Sequence, residues 1–374
     1  MADHSNSTPD SRPSRGGGRH VKAPVPRSGR RKALLGTVWT LGTVLVLGGV
    51  GAGYVYYKLN GNITSVNING ALGSDRPKNV DNGSMDILVL GSDSRAGQNA
   101  KYGTDEGTSR SDTAMVVHVY KGRQKASVVS IPRDTLIRRP ACTKDGRTVP
   151  AQRLAMFNSA YEVGGPACAV KTVESMTGIR MDHYLEVDFS GFKHLIDQLG
   201  GVDITTTKPI HDAKSHLDLE PGKHTLSGEQ SLGLVRTRHA VGDGSDLGRI
   251  KLQQAFIKAL LDQIKSVDLF SSPKKLYDLA DTSTKALTTD SELASVNKLR
   301  GFAEGLKGID SKDMHMVTLP VQYDPNNPNR VLQIDSKVRQ VWRALRWDKP
   351  IPASATKGSA GDATGDAGKV VQNP

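Results

Sequence analysis

The 374-residue chain lacks the short motifs that mark several large enzyme classes. It has no G-x-x-x-x-G-K-[ST] phosphate loop, no G-x-S-x-G nucleophile turn and no H-E-x-x-H zinc helix. Its two cysteines, Cys142 and Cys168, do not have the ligand number or spacing of a zinc site. No internal repeat is visible. These absences argue against a P-loop nucleotidase, a serine α/β-hydrolase and a zinc peptidase.

The distribution of charge weakens a further interpretation, nucleic-acid binding. The net charge is +12, which first suggests a nucleic acid or a membrane surface as the partner. Residues 1–32 contain eight Lys or Arg and two Asp, so half of the excess lies in this short segment. The remaining chain has 42 basic and 36 acidic residues and is only mildly basic. We therefore predict no nucleic-acid partner.

Residues 33–57 contain no charged side chain. As a helix of 25 residues rising about 1.5 Å each, this segment exceeds the roughly 30 Å hydrocarbon core of a bilayer. It is also longer than the roughly 7–15 apolar residues of a cleavable signal peptide. Basic residues precede it at Arg30, Arg31 and Lys32, so the positive-inside rule predicts a cytoplasmic N-terminus. We expect a single-pass protein of the cell membrane with its body on the extracytoplasmic side.

Composition divides the chain into five predicted segments. They are a disordered basic cytoplasmic tail (1–32), a transmembrane helix (33–57), an extracytoplasmic stalk (58–84), a folded domain (85–348) and a disordered C-terminal tail (349–374).

Three predicted strands bring charged side chains to one edge of a sheet. The run Asp86–Leu90 is apolar after its first residue, which is typical of a buried strand in an α/β sheet. Residues 114–120 and 127–131 read as an antiparallel hairpin, so the start of the first lies beside the end of the second. Ligands of open α/β sheets gather at such strand ends. If the first strand runs parallel to the third, one edge collects Asp93, Arg95, Arg110, Asp112, Arg133 and Asp134.

The stretch Leu234–Gln254 adds to this charge. Its first part alternates Val, Arg, Thr and Arg, and predicts a short strand over 235–238. Arg236 and Arg238 would then point to the same side of the strand.

A helix follows the glycine-rich turn in that stretch. Ser245 or Asp246 is its expected N-cap, and Arg249 and Gln253 lie four apart on one face. The N-terminus of a helix beside three arginines suits phosphate-like oxygens. A solvated basic rim, or arginines paired with carboxylates elsewhere, is the alternative.

The pattern also predicts elements outside these segments. They are helices over 154–163 and 168–176, a strand over 182–189, a helix from Ser190 to Leu199, a strand over 202–205, a polar loop over 206–226, helices over 272–281 and 290–306, a strand over 314–319 and a mostly helical segment over 331–347.

Both cysteines belong to the predicted outer part of the chain. Two thiols in an oxidising compartment favour a Cys142–Cys168 disulfide. Two buried free thiols are the alternative.

An ordered set of strings resembles the LytR-CpsA-Psr family of envelope phosphotransferases. The strings are DILVLGSDSR (86–95), RSDT (110–113), VSIPRDT (129–135), NSAYEVGGP (158–166), TGIRMDHYLEVDFSGF (177–192), LGGVDI (199–204), LSGEQSLGLVRTRH (226–239) and GDGSDLGRIKLQQAF (242–256). The resemblance covers roughly residues 86–265 and identifies 85–348 as the catalytic domain.

The resemblance implies a fold and an activity. The fold is a central mixed β-sheet flanked by helices (α/β/α), with an apolar channel for a lipid. The activity moves a glycopolymer from a polyprenyl-pyrophosphate carrier to a muramic acid 6-hydroxyl of peptidoglycan.

The resemblance also assigns roles to residues. Asp93 and Asp112 match carboxylates that hold Mg²⁺, or Mn²⁺ in its place, and the two cysteines match a disulfide. The residues matched to pyrophosphate binding are Arg110, Arg133, Arg236, Arg238, Arg249 and Gln253; we expect the first four of these to act in catalysis as well. The general base is not identified, and Asp134 and Asp93 are its candidates. Asp134 could instead be a turn carboxylate paired with Arg133.

The chain departs from the family pattern at two positions. Met156 and Leu252 stand where a Lys and an Arg are usual, which removes positive charge, and Arg153 is a possible substitute for the Lys. Two other functions compete with transfer: a polyprenyl-pyrophosphate pyrophosphatase with water as the acceptor, and a non-enzymatic envelope regulator. The wall polymer and the oligomeric state do not follow from the sequence.

Overall fold

The computed structural model describes residues 50–74, 76–92, 111–144, 146–238, 244–267, 272–363 and 369–372. The chain divides into two compact units, Met1–Tyr54 and Val55–Pro374. Only residues 50–54 of the first unit are described, and they are helical. The account below concerns the second unit.

The second unit is a mixed α/β structure. The strands are β1 Thr64–Val66, β2 Met85–Ser92, β3 Ser111–Val119, β4 Ala126–Ser130, β5 Thr135–Arg139, β6 Cys142–Lys144, β7 Arg147–Val149, β8 Gln152–Met156, β9 His183–Asp188, β10 Val202–Thr206, β11 Ile210–Asp212, β12 Leu217–Leu219, β13 Gly222–Leu226, β14 Leu287–Asp290, β15 Met314–Thr318, β16 Val321–Asp324, β17 Asn327–Gln333 and β18 Val371–Gln372. The helices are α1 (helical residues 55–62), α2 Ile68–Leu72, α3 Ser159–Thr177, α4 Phe189–Gln198, α5 Gly228–Arg236, α6 Asp246–Ser266, α7 Pro273–Ala286, α8 Val296–Leu306, α9 Asp335–Arg346, α10 Ala353–Thr356 and α11 Ala360–Ala363.

The largest sheet has seven strands in the order β1-β14-β9-β2-β3-β4-β15. Strand β2 pairs antiparallel with β3 and β3 antiparallel with β4, so β2 and β4 run in the same direction. Parallel pairs β2–β9 and β4–β15 make the sheet mixed. The predicted hairpin is therefore confirmed, and the ends of β2 and β4 lie at the same edge as the start of β3.

Helices cover both faces of this sheet. Leu88, Leu90 and Val116 face a core shared with α3 and α9. Ile87 and Val119 face the opposite side, where Phe302 and Leu306 of α8 pack against them. Alternate residues of each strand are thus buried on opposite faces, as the nearly continuous apolar run of β2 requires. The expected α/β/α layering is confirmed.

A four-stranded sheet, β16-β17-β5-β8, adjoins the turn after β4. Strand β5 begins at Thr135, one residue beyond Asp134, and pairs in parallel with β17. The C-terminal hairpin β16–β17 is thereby brought to the edge where β4 ends.

Several predicted elements differ in the structure. Residues 206–226, expected as a polar loop, contain β11, β12 and β13, because Ile210, Leu217 and Leu219 are buried in a second core. Helix α4 is capped by Asp188, whose carboxylate accepts from the Gly191 amide at 2.8 Å, and not by Ser190.

The segments flanking the folded domain also contribute to it. In the predicted stalk, β1 pairs with β14 and Ile68 is part of the main core. In the predicted C-terminal tail, Ala355 and Val371 are buried and β18 pairs with β10, so its described part is structured. A few buried apolar residues suffice for this despite the polar composition.

No helix in the described part of the chain is long and apolar enough to cross a bilayer. The predicted membrane helix over 33–57 lies mostly outside the described residues and stays a prediction.

The Cys142–Cys168 disulfide is confirmed, with a Cα–Cα distance of 5.5 Å. Cys168 lies in α3, just after a kink at Gly164, Gly165 and Pro166 that separates the two predicted helices. A Cβ on Gly164 would lie 2.7 Å from Cys168 Cβ and 3.1 Å from Cys142 Cβ. A side chain at position 164 would therefore collide with the disulfide, so the bridge requires glycine there. The first predicted helix starts later than expected, because 152–156 form β8.

Candidate active site

The turn after β4 fixes the backbone of Arg133. Thr135 donates to the Pro132 carbonyl from both its amide, at 3.0 Å, and its hydroxyl, at 2.6 Å. The Asn158 amide donates to the Arg133 carbonyl at 3.1 Å. Arg133 thus leaves the sheet from a closed turn with a fixed direction.

Asp112, at the start of β3, lies beside this turn. Arg133 Nη1 donates to Asp112 Oδ1 at 2.5 Å. Arg133 Nε lies 3.4 Å from Asp134 Oδ2, a looser ion pair. The strand directions therefore bring these three predicted residues together.

Helix α6 starts at the same edge, with Ser245 as its N-cap residue. Arg249 Nη2 donates to the Asp112 carbonyl oxygen at 2.9 Å. One turn further, Gln253 Nε2 donates to Thr113 Oγ1 at 3.0 Å and to the Val235 carbonyl at 2.9 Å. Arg249 and Gln253 are buried, so the predicted shared face of α6 packs directly on β3.

The carboxylate of Asp246 lies at the centre of three arginines. Its Oδ1 is 2.5 Å from Arg249 Nη2, 3.6 Å from Arg238 Nη2 and 3.7 Å from Arg133 Nε. Neither carboxylate oxygen has a hydrogen bond of good geometry, although both are buried. Three positive guanidinium groups thus share the single negative charge of Asp246, and their hydrogen-bond donors are not all used by it.

Arg236 and Arg238 do not lie on a common strand, contrary to the prediction. Helix α5, begun by the Ser227 capping box, continues through Arg236, so no strand forms over 235–238. The Arg236 guanidinium lies 5.0 Å from the Phe189 ring centroid, a cation–π contact. Arg238 follows in extended chain, and its amide donates to Asp212 Oδ2 at 3.1 Å.

A cavity of about 470 Å³ opens beside the arginines. The site residues that line it are Arg133, Asp134, Arg238 and Asp246. The hairpin β16–β17 forms its other wall through Tyr323, Pro328, Asn329, Arg330 and Val331. The cavity therefore combines cationic groups with an apolar and amide wall.

The charges of the site alter one another's titration. Burial raises the pKa of Asp112, but Arg249 and Arg133 outweigh it, and the net pKa lies below its ordinary value. Burial, Arg249 and Arg133 lower the pKa of Arg238 to about 10. Arg238 is thus held among like charges, a situation that a bound anion would relieve.

The described part of the predicted metal site fits a hard cation. Asp112 is ionised at neutral pH because of its lowered pKa, and the hydrogen bond from Arg133 uses only Oδ1. Mg²⁺ is commonly held by one or two carboxylates together with substrate phosphates. Its predicted partner Asp93, and Arg110, lie outside the described residues.

Three charged residues of the site were not assigned a role in it from the sequence. Arg330 Nη1 lies 3.6 Å from Asp134 Oδ1 across the cavity. Asp246 was expected only as a helix cap, and Asp212 was not singled out. A carboxylate three residues before Arg249 was the available signal for Asp246, since such pairs meet on a helix.

Fold and site together define an α/β protein with an arginine-rich cleft suited to an anion with several oxygens. The LytR_cpsA_psr family model matches residues 55–346, and the chain belongs to this family. This identification confirms the family predicted from the motifs.

Named relatives connect the family to the cell wall. The cell wall biosynthesis protein LcpA of Corynebacterium glutamicum is 31% identical over 75% of this chain, which spans only 58% of LcpA. The polyisoprenyl-teichoic acid–peptidoglycan teichoic acid transferase TagT of Bacillus subtilis is 33% identical over 72% of this chain and 80% of TagT. A solved structure of TagT bound to LIIa-WTA has a TM-score of 0.53 and 25% identity, and covers 74% of this chain and 95% of that one.

Proposed function

We propose that this protein is a phosphotransferase that moves a glycopolymer from a polyprenyl-pyrophosphate carrier to a peptidoglycan hydroxyl. The observation that carries the proposal is the set of three guanidinium groups within 3.7 Å of Asp246 Oδ1 at the cavity. A pyrophosphate bridging group presents more oxygens and more charge than one carboxylate, so it suits this set better. The similarity to TagT, a named teichoic acid transferase, supports the same class of reaction.

In the proposed reaction, the acceptor hydroxyl oxygen attacks the phosphorus next to the polymer. The bond between that phosphorus and the bridging oxygen breaks, and the lipid phosphate leaves with the bond electrons. The hydroxyl proton passes to a base that the described residues do not identify. Such transfers depend mainly on positioning and neutralisation of charge, which arginine forks provide.

The chain's own residues would have separate roles in this reaction. Arg133 and Arg238 would hold the oxygens facing the cavity, and Arg249, fixed by Asp112 and Asp246, would bind from the sheet side. Asp134 lies between Arg133 and Arg330, so we assign it a role in positioning them. Mg²⁺, when bound at Asp112 and Asp93, would neutralise phosphate charge.

Arg236, Gln253 and Arg110 have other parts in the proposal. Arg236 contacts the Phe189 ring, so we expect a supporting role unless substrate draws it inward. Gln253 holds β3 against α5 through its two hydrogen bonds. We retain Arg110 as a pyrophosphate ligand. The apolar lipid channel and the extracytoplasmic orientation also remain parts of the proposal.

The test uses the full-length chain in detergent with a lipid-pyrophosphate glycan, Mg²⁺ and labelled peptidoglycan fragments. Arg133→Ala and Arg238→Ala should each lower cleavage by about 100-fold or more, because each removes charge stabilisation of the leaving phosphate. Arg138→Ala, an exposed arginine of β5, is the matched control.

The label distinguishes the alternatives. Label transferred to peptidoglycan supports the transferase. Phosphate release without transfer identifies a pyrophosphatase. Cleavage that neither substitution affects would show that the site lies elsewhere, and folded protein without cleavage would favour the regulator.

A further inference from the structure

A second concave surface lies along α9, away from the arginine cavity. It encloses about 690 Å³ between the last turn of α3, Gln333 and the exposed side of α9. We call it the α9 groove. Its lining residues include Thr177, Asp335, Arg339, Trp342, Arg343, Arg346 and Trp347.

The α9 groove is strongly cationic. Arg339, Arg343 and Arg346 follow at spacings of four and three, so they lie along one face of the helix. All three are exposed, and none forms an ion pair with another residue of the described chain. Asp335 is the acidic residue among the lining positions. A surface with this balance attracts an anionic partner.

Two tryptophans give the groove a second kind of contact. Trp342 is only 4% exposed, and its Nε1 has no hydrogen-bond partner among the described residues. The Nε1 atom itself is buried, so Trp342 contributes to the floor of the groove. Trp347 is 58% exposed and offers a broad aromatic surface. Hydroxylated rings with carboxylate substituents suit an aromatic surface beside three arginines.

The α9 groove adjoins the arginine cavity through strand β17. Val331 lines the cavity, and Gln333, two residues further along the strand, lines the groove. Two residues of strand span about 7 Å. A chain-like molecule could therefore lie in the groove and reach the cavity with one end.

We propose that the α9 groove binds the acceptor, a peptidoglycan strand. This inference rests on the proposed function. The peptide carboxylates would pair with the three arginines, and sugar rings would lie on Trp347. The protein's own N-terminal segment is excluded as the occupant of the groove, because residues 1–32 are themselves basic. In the proposed function the arginine cavity binds the pyrophosphate of the donor. The α9 groove is a separate surface and therefore remains free for the acceptor.

The experiment measures binding of peptidoglycan fragments to the full-length chain by calorimetry, without donor. Arg339→Glu/Arg343→Glu should weaken binding by about tenfold or more, because it replaces two attractive charges by repulsive ones. Lys298→Glu/Lys307→Glu makes the same charge change in α8 and at its C-cap, across the sheet, and should leave the affinity unchanged. Trp347→Ala removes the exposed aromatic surface, and should weaken binding about threefold to tenfold.

A second readout separates this inference from the proposed function. With donor present, the Arg339→Glu/Arg343→Glu variant should still cleave pyrophosphate into water but transfer little label to peptidoglycan. Equal fragment affinity in this variant and the wild type would overturn the groove assignment, even if transfer itself is established. Selective loss of donor polymer binding, or of binding to anionic phospholipid vesicles, would overturn it too. Absence of all cleavage would count against the enzyme, while the calorimetry would still decide the groove.

Discussion

Arg249 and Asp246 form an ion pair of 2.5 Å within the first turn of α6, with both side chains largely buried. The same Arg249 Nη2 also donates to the Asp112 carbonyl oxygen at 2.9 Å, so this end of the guanidinium is held between two oxygens. Asp246 in turn lies within 3.7 Å of Arg133 and Arg238. Asp246 is therefore the carboxylate that all three guanidinium groups share, while Asp112 also neutralises Arg133.

Asp246→Asn should destabilise the unliganded protein and strengthen its response to pyrophosphate. Removing the carboxylate leaves the buried Arg249 without its ion-pair partner and reduces the neutralisation of Arg238, which should cost about 3 kcal/mol of unfolding free energy. A bound anion would then restore more stability than in the wild type, because binding to the native state alone raises its stability. Thermal unfolding with and without inorganic pyrophosphate measures both effects.

Asp278→Asn is the matched control for this change. Asp278 forms an exposed pair with Lys274 on α7, and such pairs contribute little. An Asp246→Asn protein with unchanged unfolding temperature and an unchanged pyrophosphate response would contradict the role assigned to Asp246.

His118 gives the stability a pH dependence outside the candidate site. Its Nδ1 lies 2.8 Å from Asp86 Oδ1 and its Nε2 lies 3.2 Å from Asp348 Oδ1. Burial lowers the pKa of His118, but Asp86 and Asp348 outweigh it, so the pKa lies above the ordinary value. Protonated His118 should therefore stabilise the fold fully below pH of about 6.5, and this stabilisation should disappear as pH rises through the folded-state pKa.

His118→Asn removes that titration. The difference in unfolding free energy between wild type and variant should shrink as pH rises from about 6.5, measured by denaturant titration at fixed salt. His211→Asn serves as the control, since His211 is exposed beside Asp218. A difference that stays constant between pH 6 and pH 9 would refute this assignment.

The disulfide should contribute mainly to stability. It closes a loop with a sequence separation of 26, for which the chain-entropy model gives about 3 kcal/mol. Cys142→Ala/Cys168→Ala should lose about that free energy of unfolding and keep its kcat below the unfolding temperature. Adding a reductant to the wild type should reproduce the loss but should not affect the double variant. A large fall in kcat at low temperature would instead connect the bridge to the site.

The sequence predicted the sheet edge because local patterns determine it. The run Asp86–Leu90 is apolar on both faces, and a glycine turn joins two β-branched segments after it. Their pairing then follows from strand geometry, and Asp112 meets Arg133 as expected.

The sequence did not predict where α5 ends. Val235, Arg236 and Thr237 alternate in polarity like a strand, yet α5 reaches Arg236 because Leu232 and Leu234 are buried by tertiary packing. Arg236 is therefore the last residue of a helix, and Arg238 follows it outside the helix. Local alternation over four residues cannot distinguish a strand from the last turn of a helix.

Local sequence patterns also could not predict the position of Arg330. It follows Asn327, Pro328 and Asn329, a turn-like run without apolar period, and the segment after it, 331–347, was expected to be mostly helical. Only the parallel pairing of β17 with β5 brings it to Asp134. A contact between residues 196 positions apart depends on the topology of the whole sheet.

Arg330 should therefore bind substrate from the wall opposite Arg133. Arg330→Ala should raise KM for the lipid-pyrophosphate donor about fivefold to tenfold, because one cation of the cavity is lost, while kcat should change less. Arg330 is only partly buried, and its pair with Asp134 is long at 3.6 Å, so a large loss of stability is unexpected; the unfolding temperature checks this. Arg138→Ala, from the same four-stranded sheet but outside the residues lining the cavity, should leave KM unchanged. If both variants keep the wild-type KM, the β16–β17 hairpin is only a wall of the cavity; if only Arg330→Ala raises it, the hairpin is part of the substrate site.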